Sequence, residues 1–178
     1  YGGIFTGAGV PKGKVDEVRD QIQEYIDSFQ SIGIDKGYLA RSLYFLAETY
    51  REVGEPEEGL RIVSECLTVM GDMRLLSFEA DLNRLKGDLL RQKAEGFDES
   101  NEIEIELEEC FNKALEISRR QKAKSLELRA ATSMSRLWKD QGKKEEARKL
   151  LGDVYGWFTE GFDTKDLKVA KTLLEELS

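Results

Sequence analysis

One spacing occurs twice along the chain and limits what it can fold into. Ala47, Tyr50, Gly54, Gly59, Val63 and Cys66 form the first set, with offsets of 3, 7, 12, 16 and 19 residues from Ala47. Ser135, Trp138, Gly142, Ala147, Leu151 and Val154 repeat those offsets, and the types correspond: small, large aromatic, glycine, small, apolar, small or apolar. A third copy begins at Gly87 and Leu90 and finishes at Leu107, Phe111 and Ala114, with eight added residues that contain the loop-like stretch 96–101. A degenerate first copy reads Thr6, Gly9, Gly13, Val18, Ile22 and Tyr25. Copy starts are then 41, 40 and 48 residues apart, and removing the insertion returns the last to 40. A period of this size marks stacked supersecondary units, each too small to bury its own apolar face.

The pattern inside each unit is helical. Val15, Val18, Ile22, Tyr25, Ile26 and Phe29 recur at three and four residues, one face of a helix that Gly33 closes. Leu39, Leu43, Leu46, Ala47 and Tyr50 mark the next helix; Gly54 ends it, and Pro56 opens its partner, which carries Leu60, Val63, Leu67 and Met70. A helix from about Leu75 to Ala94 and another through Ile103, Leu107, Cys110, Phe111, Ala114 and Ile117 follow. Residues 102–107 alternate like a strand, but the helical spacing continues well past them, so a helix is expected there too. Ser125 is expected to cap the helix holding Leu128, Ala131, Met134, Leu137 and Trp138, which Gly142 closes. Ala147, Leu150, Leu151, Val154 and Tyr155 form its partner; after a turn at Gly161, Asp163 or Thr164 caps a last helix with Leu167, Ala170, Leu173, Leu174 and Leu177 on one face. Small residues at the helix crossings let antiparallel helices approach, the bulky residue three places on fills the gap to the neighbour, and glycine takes the turn.

Composition removes several function classes. The 178 residues fit one domain, 1–178, long enough to bury a core without disulfide or metal. A net charge of −8 sets the chain against phosphate backbones and anionic lipid. Cys66 and Cys110 are the two cysteines and there is no histidine, so no zinc set and no Ser-His or Cys-His pair can be assembled. No metal, cofactor or catalytic residue is therefore expected, and the chain reads as a non-enzyme. Few cysteines and no leader point to a reducing cytoplasm, and no apolar run approaches a membrane span.

Four local features invite a functional reading. The stretch from Gly7 to Lys14 resembles a phosphate loop but has Ala8 and Val15 where glycine and a hydroxyl are needed, so a turn before a helix is expected. Acidic groups at Glu55, Glu57 and Glu58, and at Glu102, Glu104, Glu106, Glu108 and Glu109, sit at helix starts, where the helix dipole favours negative charge. Cys66 and Cys110 fall on apolar faces and read as small core residues. Trp157, Phe158 and Phe162 are expected to seal the last unit beneath its final helix, since a terminal repeat needs a cap.

The small-aromatic-glycine pattern resembles the tetratricopeptide repeat, with a period longer than that family's usual one. A closer resemblance rests on Glu57-Glu58-Gly59-Leu60, Arg84-Leu85-Lys86-Gly87-Asp88-Leu89-Leu90, the segments 110–117 and 123–131, and above all 155–164. Together these are similar to the C-terminal repeat region of multidomain signalling proteins that join a class III nucleotidyl cyclase or other output domain to an AAA-type ATPase. Neither cyclase nor ATPase motifs occur in these residues, so the resemblance implies a fragment or a relative without the upstream modules.

It also implies an all-α fold: a right-handed α-solenoid of about four helix pairs, at about 1–33, 36–71, 74–122 and 124–157, with a capping helix at about 164–177. The family's groove positions fall here on Arg41, Tyr44, Glu48 and Arg51, then Asp81, Arg84, Asp88 and Arg91, then Arg129, Thr132, Arg136 and Lys139. Seven of these twelve are basic in an acidic chain, so an interaction or regulatory scaffold is expected, its concave face taking an acidic or carboxylate-ended peptide through arginine forks. Against this, pairs such as Arg84 with Asp88 solubilise many helices without binding anything. Upstream ATPase or cyclase domains are the partners implied within a longer chain. The alternatives are a small-molecule sensor using the arginine column and Tyr44, and a self-association module forming a homodimer.

Overall fold

The computed structural model describes residues 36–71, 78–94 and 101–178, and the single helical positions Glu17, Asp20, Gln23, Glu24 and Ser28. The expected helix face from Val15 to Phe29, its cap at Gly33, the first repeat copy, the Gly7–Lys14 stretch, Leu75 and most of the 96–101 loop lie outside the described residues.

The described part is all-helical. Seven helices run Lys36–Val53 (α1), Pro56–Gly71 (α2), Glu79–Ala94 (α3), Asn101–Arg120 (α4), Lys124–Asp140 (α5), Lys144–Tyr155 (α6) and Lys165–Glu176 (α7). The strand-like alternation at 102–107 lies inside α4. Glu102 and Glu104 occupy its first turn and Arg119 and Arg120 its last, a charge order that suits the helix dipole. The described residues form two compact units: 36–71 with 92–94, and 78–91 with 101–178.

In the first unit, α1 packs along α2. Ala40, Leu43, Leu46, Ala47 and Tyr50 of α1 are buried, as are Gly59, Ile62, Val63, Cys66 and Met70 of α2. The turn between them is a Schellman cap. Gly54 N–H donates to Arg51 O at 3.3 Å, Glu55 N–H donates to Tyr50 O at 3.0 Å, and Gly54 stands at φ +79°.

In the second unit, α5 packs on α4, α6 and α7, and α6 also packs on α7. Phe111, Ala114, Leu128, Ala131, Met134, Ala147, Leu151, Val154, Leu167, Ala170 and Leu173 share one core. The helix-crossing positions behave as their size requires. Ser135 is fully buried and donates its hydroxyl to Ala147 O on α6 at 3.0 Å. Gly87 lies so close to Phe111 that an added Cβ would stand 2.4 Å from the ring. α7 lays Leu167, Ala170 and Leu173 onto the core as the expected terminal helix.

The Schellman pattern of Gly54 recurs at Gly142, φ +78°, with bonds to Lys139 O and from Lys143 N–H to Trp138 O. It recurs again between α4 and α5, where Lys122 holds φ +55° in the glycine's place. That third turn overturns the expected cap at Ser125. The chain turns at Lys122, Ala123 becomes the N-cap with no side-chain bond, and Ser125 is exposed inside α5. Thr164 does take the cap position of α7, in an extended conformation, but its hydroxyl donates back to Gly161 O at 2.8 Å.

Candidate binding face

The groove positions of the first unit sit on α1 at three- and four-residue steps. Arg41 is exposed and lies over the Phe45 ring, 5.7 Å from its centroid. Tyr44 donates its hydroxyl to Glu48 Oε1 at 3.2 Å, and Arg51 Nε donates to Glu48 Oε2 at 2.7 Å. Tyr44, Glu48 and Arg51 are thus one hydrogen-bonded group about a single carboxylate.

In the second unit, α3 and α5 carry the other eight. Arg84 is buried, with only 9% of its side chain exposed, between Asp81 at 2.6 Å and Asp88 at 2.5 Å. Arg129 of α5 bridges helices: its Nη1 donates to Asp81 Oδ2 at 3.2 Å and its Nε to Asp166 Oδ2 of α7 at 2.7 Å. Burial works against the Arg129 charge, but Asp166 and Asp81 outweigh it and hold the guanidinium above its ordinary pKa. Arg91 Nη1 donates to Asp140 Oδ2 at 3.0 Å. Thr132 is buried, with its hydroxyl donated to Leu128 O at 2.7 Å.

The far end of α5 is open. Lys139 Nζ donates to Glu176 Oε2 of α7 at 2.6 Å. That bond and the nearby Arg136 charge hold the Glu176 carboxyl below its ordinary range. Arg136 lines a surface depression of about 290 Å³ together with Lys168, Val169, Thr172, Leu173 and Glu176. Of the twelve sequence-derived positions, the structure therefore places Asp81, Arg84 and Thr132 inside the fold, where they have little surface to give a ligand. Arg129, Arg136 and Lys139 stand in one row beside α7.

Three participants on α7 were not among the sequence-derived positions, Asp166, Lys168 and Glu176, and neither was Asp140 at the end of α5. The groove mapping considered only the first helix of each pair. Yet Asp166, Val169, Leu173 and Glu176 follow each other at helical steps, one stripe adjoining the buried face. A basic row on α5 and two acids on that stripe are the signal that would have found them.

The aromatic seal expected at 157–162 is corrected in part. Phe158 packs against the core, but Trp157 is 58% and Phe162 47% exposed. The residues between α6 and α7 carry these rings over the outside, because Leu167, Ala170, Leu173 and Leu177 already fill the space beneath α7. Lys124 Nζ lies over the Trp157 ring, 5.7 Å from its centroid.

Both cysteines are buried free thiols, as their apolar faces predicted. Burial pushes the Cys66 thiol up to about 12, and the thiol donates to Ala40 O at 3.2 Å. Among the described residues no three potential ligands group around a metal site, and no helix is long and apolar enough to cross a membrane. No family model matches the chain, and no curated protein matches it.

Proposed function

We propose that the chain is a tetratricopeptide-type interaction scaffold whose second unit holds a carboxylate-bearing peptide at the Arg136–Lys139 end of the α5 row. The scaffold half of the reading is supported by the shared construction of the α1–α2 and α5–α6 pairs. Each has a buried small residue at the crossing, Ala47 or Ser135, and a left-handed glycine at the turn. The resemblance of segment 155–164 to the repeat region of cyclase- and ATPase-linked signalling proteins extends the proposal to a regulatory part of such a chain.

One observation carries the ligand class: the α5 cations already take carboxylates from helices other than their own. Arg129 holds Asp81 of α3 and Asp166 of α7, and Lys139 holds Glu176 of α7. Guanidinium forks and a lysine arranged in this way recognise carboxylate oxygens by charge and geometry together. The depression at Arg136 and Lys168, about 290 Å³, has room for an acidic side chain or chain end.

The test is titration calorimetry with Asp/Glu-rich peptides that end in a free carboxylate, and with their C-terminal amides. Arg136→Glu combined with Lys139→Glu is expected to weaken binding about tenfold or more, roughly 1.4 kcal/mol. Arg84 is a poor choice for such a test, since reversing a buried charge between two aspartates unfolds the site it probes. Unchanged affinity in the double variant removes the α5 row from the reading.

A further inference from the structure

The Lys139–Glu176 pair occupies the proposed carboxylate site with a carboxylate of the chain's own. Glu176 Oε2 accepts from Lys139 Nζ at 2.6 Å. Glu176 also lines the depression that holds Arg136, Lys168 and Thr172. Both partners keep contact with water: 33% of the Lys139 side chain and 49% of the Glu176 side chain are exposed. The bond crosses between helices, from α7 to the last turn of α5, and joins residues 37 positions apart.

Two observations set this pair apart from a tie that docks α7. First, α7 is seated without it. Leu167, Ala170 and Leu173 of α7 are buried, as is Leu177 after it, and at the other end of the helix Asp166 accepts from Arg129 at 2.7 Å. An exposed ion pair adds little to such seating. Second, the chemistry of α7 itself does not account for an acid at this position. A helix C-terminus favours cations, yet α7 has no basic residue in its last turn and ends in Glu175 and Glu176. Glu175 lies 3.9 Å from Lys171 of its own helix. Glu176 turns instead to Lys139 of α5, with the Arg136 charge nearby. The α5 cations thus explain where the Glu176 carboxylate sits.

We propose that Glu176 is a tethered competitor, holding the Arg136–Lys139 end of α5 until an incoming carboxylate replaces it. The inference rests on the peptide-binding reading and adds a means of regulating that site. A lysine ammonium carries several N–H donors, but a second carboxylate set beside Glu176 is repelled by the first. Release needs only rotation of the Glu176 side chain into water, and no helix has to move. A site that is competent for part of the time binds with its affinity reduced by that fraction. A pair closed for roughly half to four-fifths of the time therefore weakens binding about two- to fivefold.

Titration calorimetry of the full chain with the Asp/Glu-rich, free-carboxylate peptides tests this, comparing wild type, Glu176→Gln and Glu175→Gln. Glu176→Gln is expected to bind about two- to fivefold more tightly than wild type, with an unchanged melting temperature. Glu175→Gln removes the same charge from the same turn and is expected to bind as wild type does. Equal affinity in wild type and Glu176→Gln, with binding still lost on Arg136→Glu combined with Lys139→Glu, overturns the competitor and leaves the peptide reading standing. Absence of binding in both wild type and Glu176→Gln overturns the two together. A gain that Glu175→Gln matches would be an effect of net charge, and weaker binding with a lowered melting temperature would make Glu176 a docking tie; either result overturns the proposal.

Discussion

Gly87→Ala separates helix propensity from packing at the closest crossing in the second unit. On an exposed helix the change would stabilise by about 1 kcal/mol. Here the new Cβ stands 2.4 Å from Cε1 and 2.8 Å from Cδ1 of Phe111, a ring with no exposed surface. Carbon pairs settle near 3.5–4.0 Å, so a gap of about 1 Å or more must open between α3 and α4. Overpacking of that kind costs about 1–3 kcal/mol, leaving a net loss of about 0–2 kcal/mol after the propensity gain. Both tryptophans, Trp138 and Trp157, lie in the second unit, so urea unfolding followed by tryptophan fluorescence reads that unit. Phe111→Leu completes the cycle: its flexible end can give way, and adding Gly87→Ala to it is expected to be neutral or stabilising. A coupling of about 2 kcal/mol should result, well above the roughly 0.3–0.5 kcal/mol expected of independent sites. Stabilisation by Gly87→Ala in the wild-type background, or a coupling within that additive range, refutes the close-approach argument.

Two further perturbations test the turns and the charges. Lys122→Gly relieves a left-handed backbone that costs an L residue about 1–2 kcal/mol, against about 0.5–1 kcal/mol of added chain entropy. It should raise the melting temperature by about 1–3 °C; an unchanged or lower value contradicts the Schellman reading. Glu127, with only 6% of its side chain exposed, accepts from Arg119 at 2.9 Å and Lys124 at 2.6 Å. Burial raises its pKa, but the bonds from Lys124 and then Arg119 outweigh it, and the carboxyl stays below its ordinary value. A depressed carboxyl contributes stability above its unfolded pKa and loses it as pH falls through the folded one. Glu127→Gln should therefore cost about 1 kcal/mol at neutral pH, and the difference should shrink below about pH 4.3. A penalty that persists at low pH would mean packing, not charge.

The glycine turns and helix faces were legible because they rest on local chemistry. Gly54 and Gly142 occupy positions where a left-handed residue is needed, and the apolar three-four spacing of α4 correctly outweighed its strand-like start. The α4–α5 turn was not legible, because Lys122 adopts the glycine conformation without being glycine. Its position comes from the packing of two long helices, not from its own preference. Exposure of Trp157 and Phe162 was hidden for a similar reason. Whether a ring lies under or over a helix depends on how much space Leu167, Ala170 and Leu173 already fill. The candidate site was half readable: the repeat resemblance pointed to the α5 positions, but their carboxylate partners on α7 depend on how α7 docks.

That docking divides the expected binding row into two parts with different duties. Asp81, Arg84, Asp88, Arg129 and Asp166 form one chain of charges across α3, α5 and α7, with Arg84 enclosed. Apolar leucines can slide past one another at modest cost, but a shift of one helical turn here would leave charges unpaired. Breaking a buried pair costs about 3–5 kcal/mol, a figure that applies to Arg84 and its aspartates; Arg129 and Asp166, 41% and 35% exposed, add less, but Arg129 is still engaged by the buried Asp81. At the other end, the Lys139–Glu176 pair is solvated, with Arg136 beside it, and surface pairs of that kind contribute little to stability. An incoming carboxylate can displace Glu176 into water at little cost, whereas displacing Asp81 or Asp88 would dismantle the helix contacts. If the proposed carboxylate binding holds, it would therefore fall at the Arg136–Lys139 end of α5, with Lys168 and Thr172 of α7 beside it.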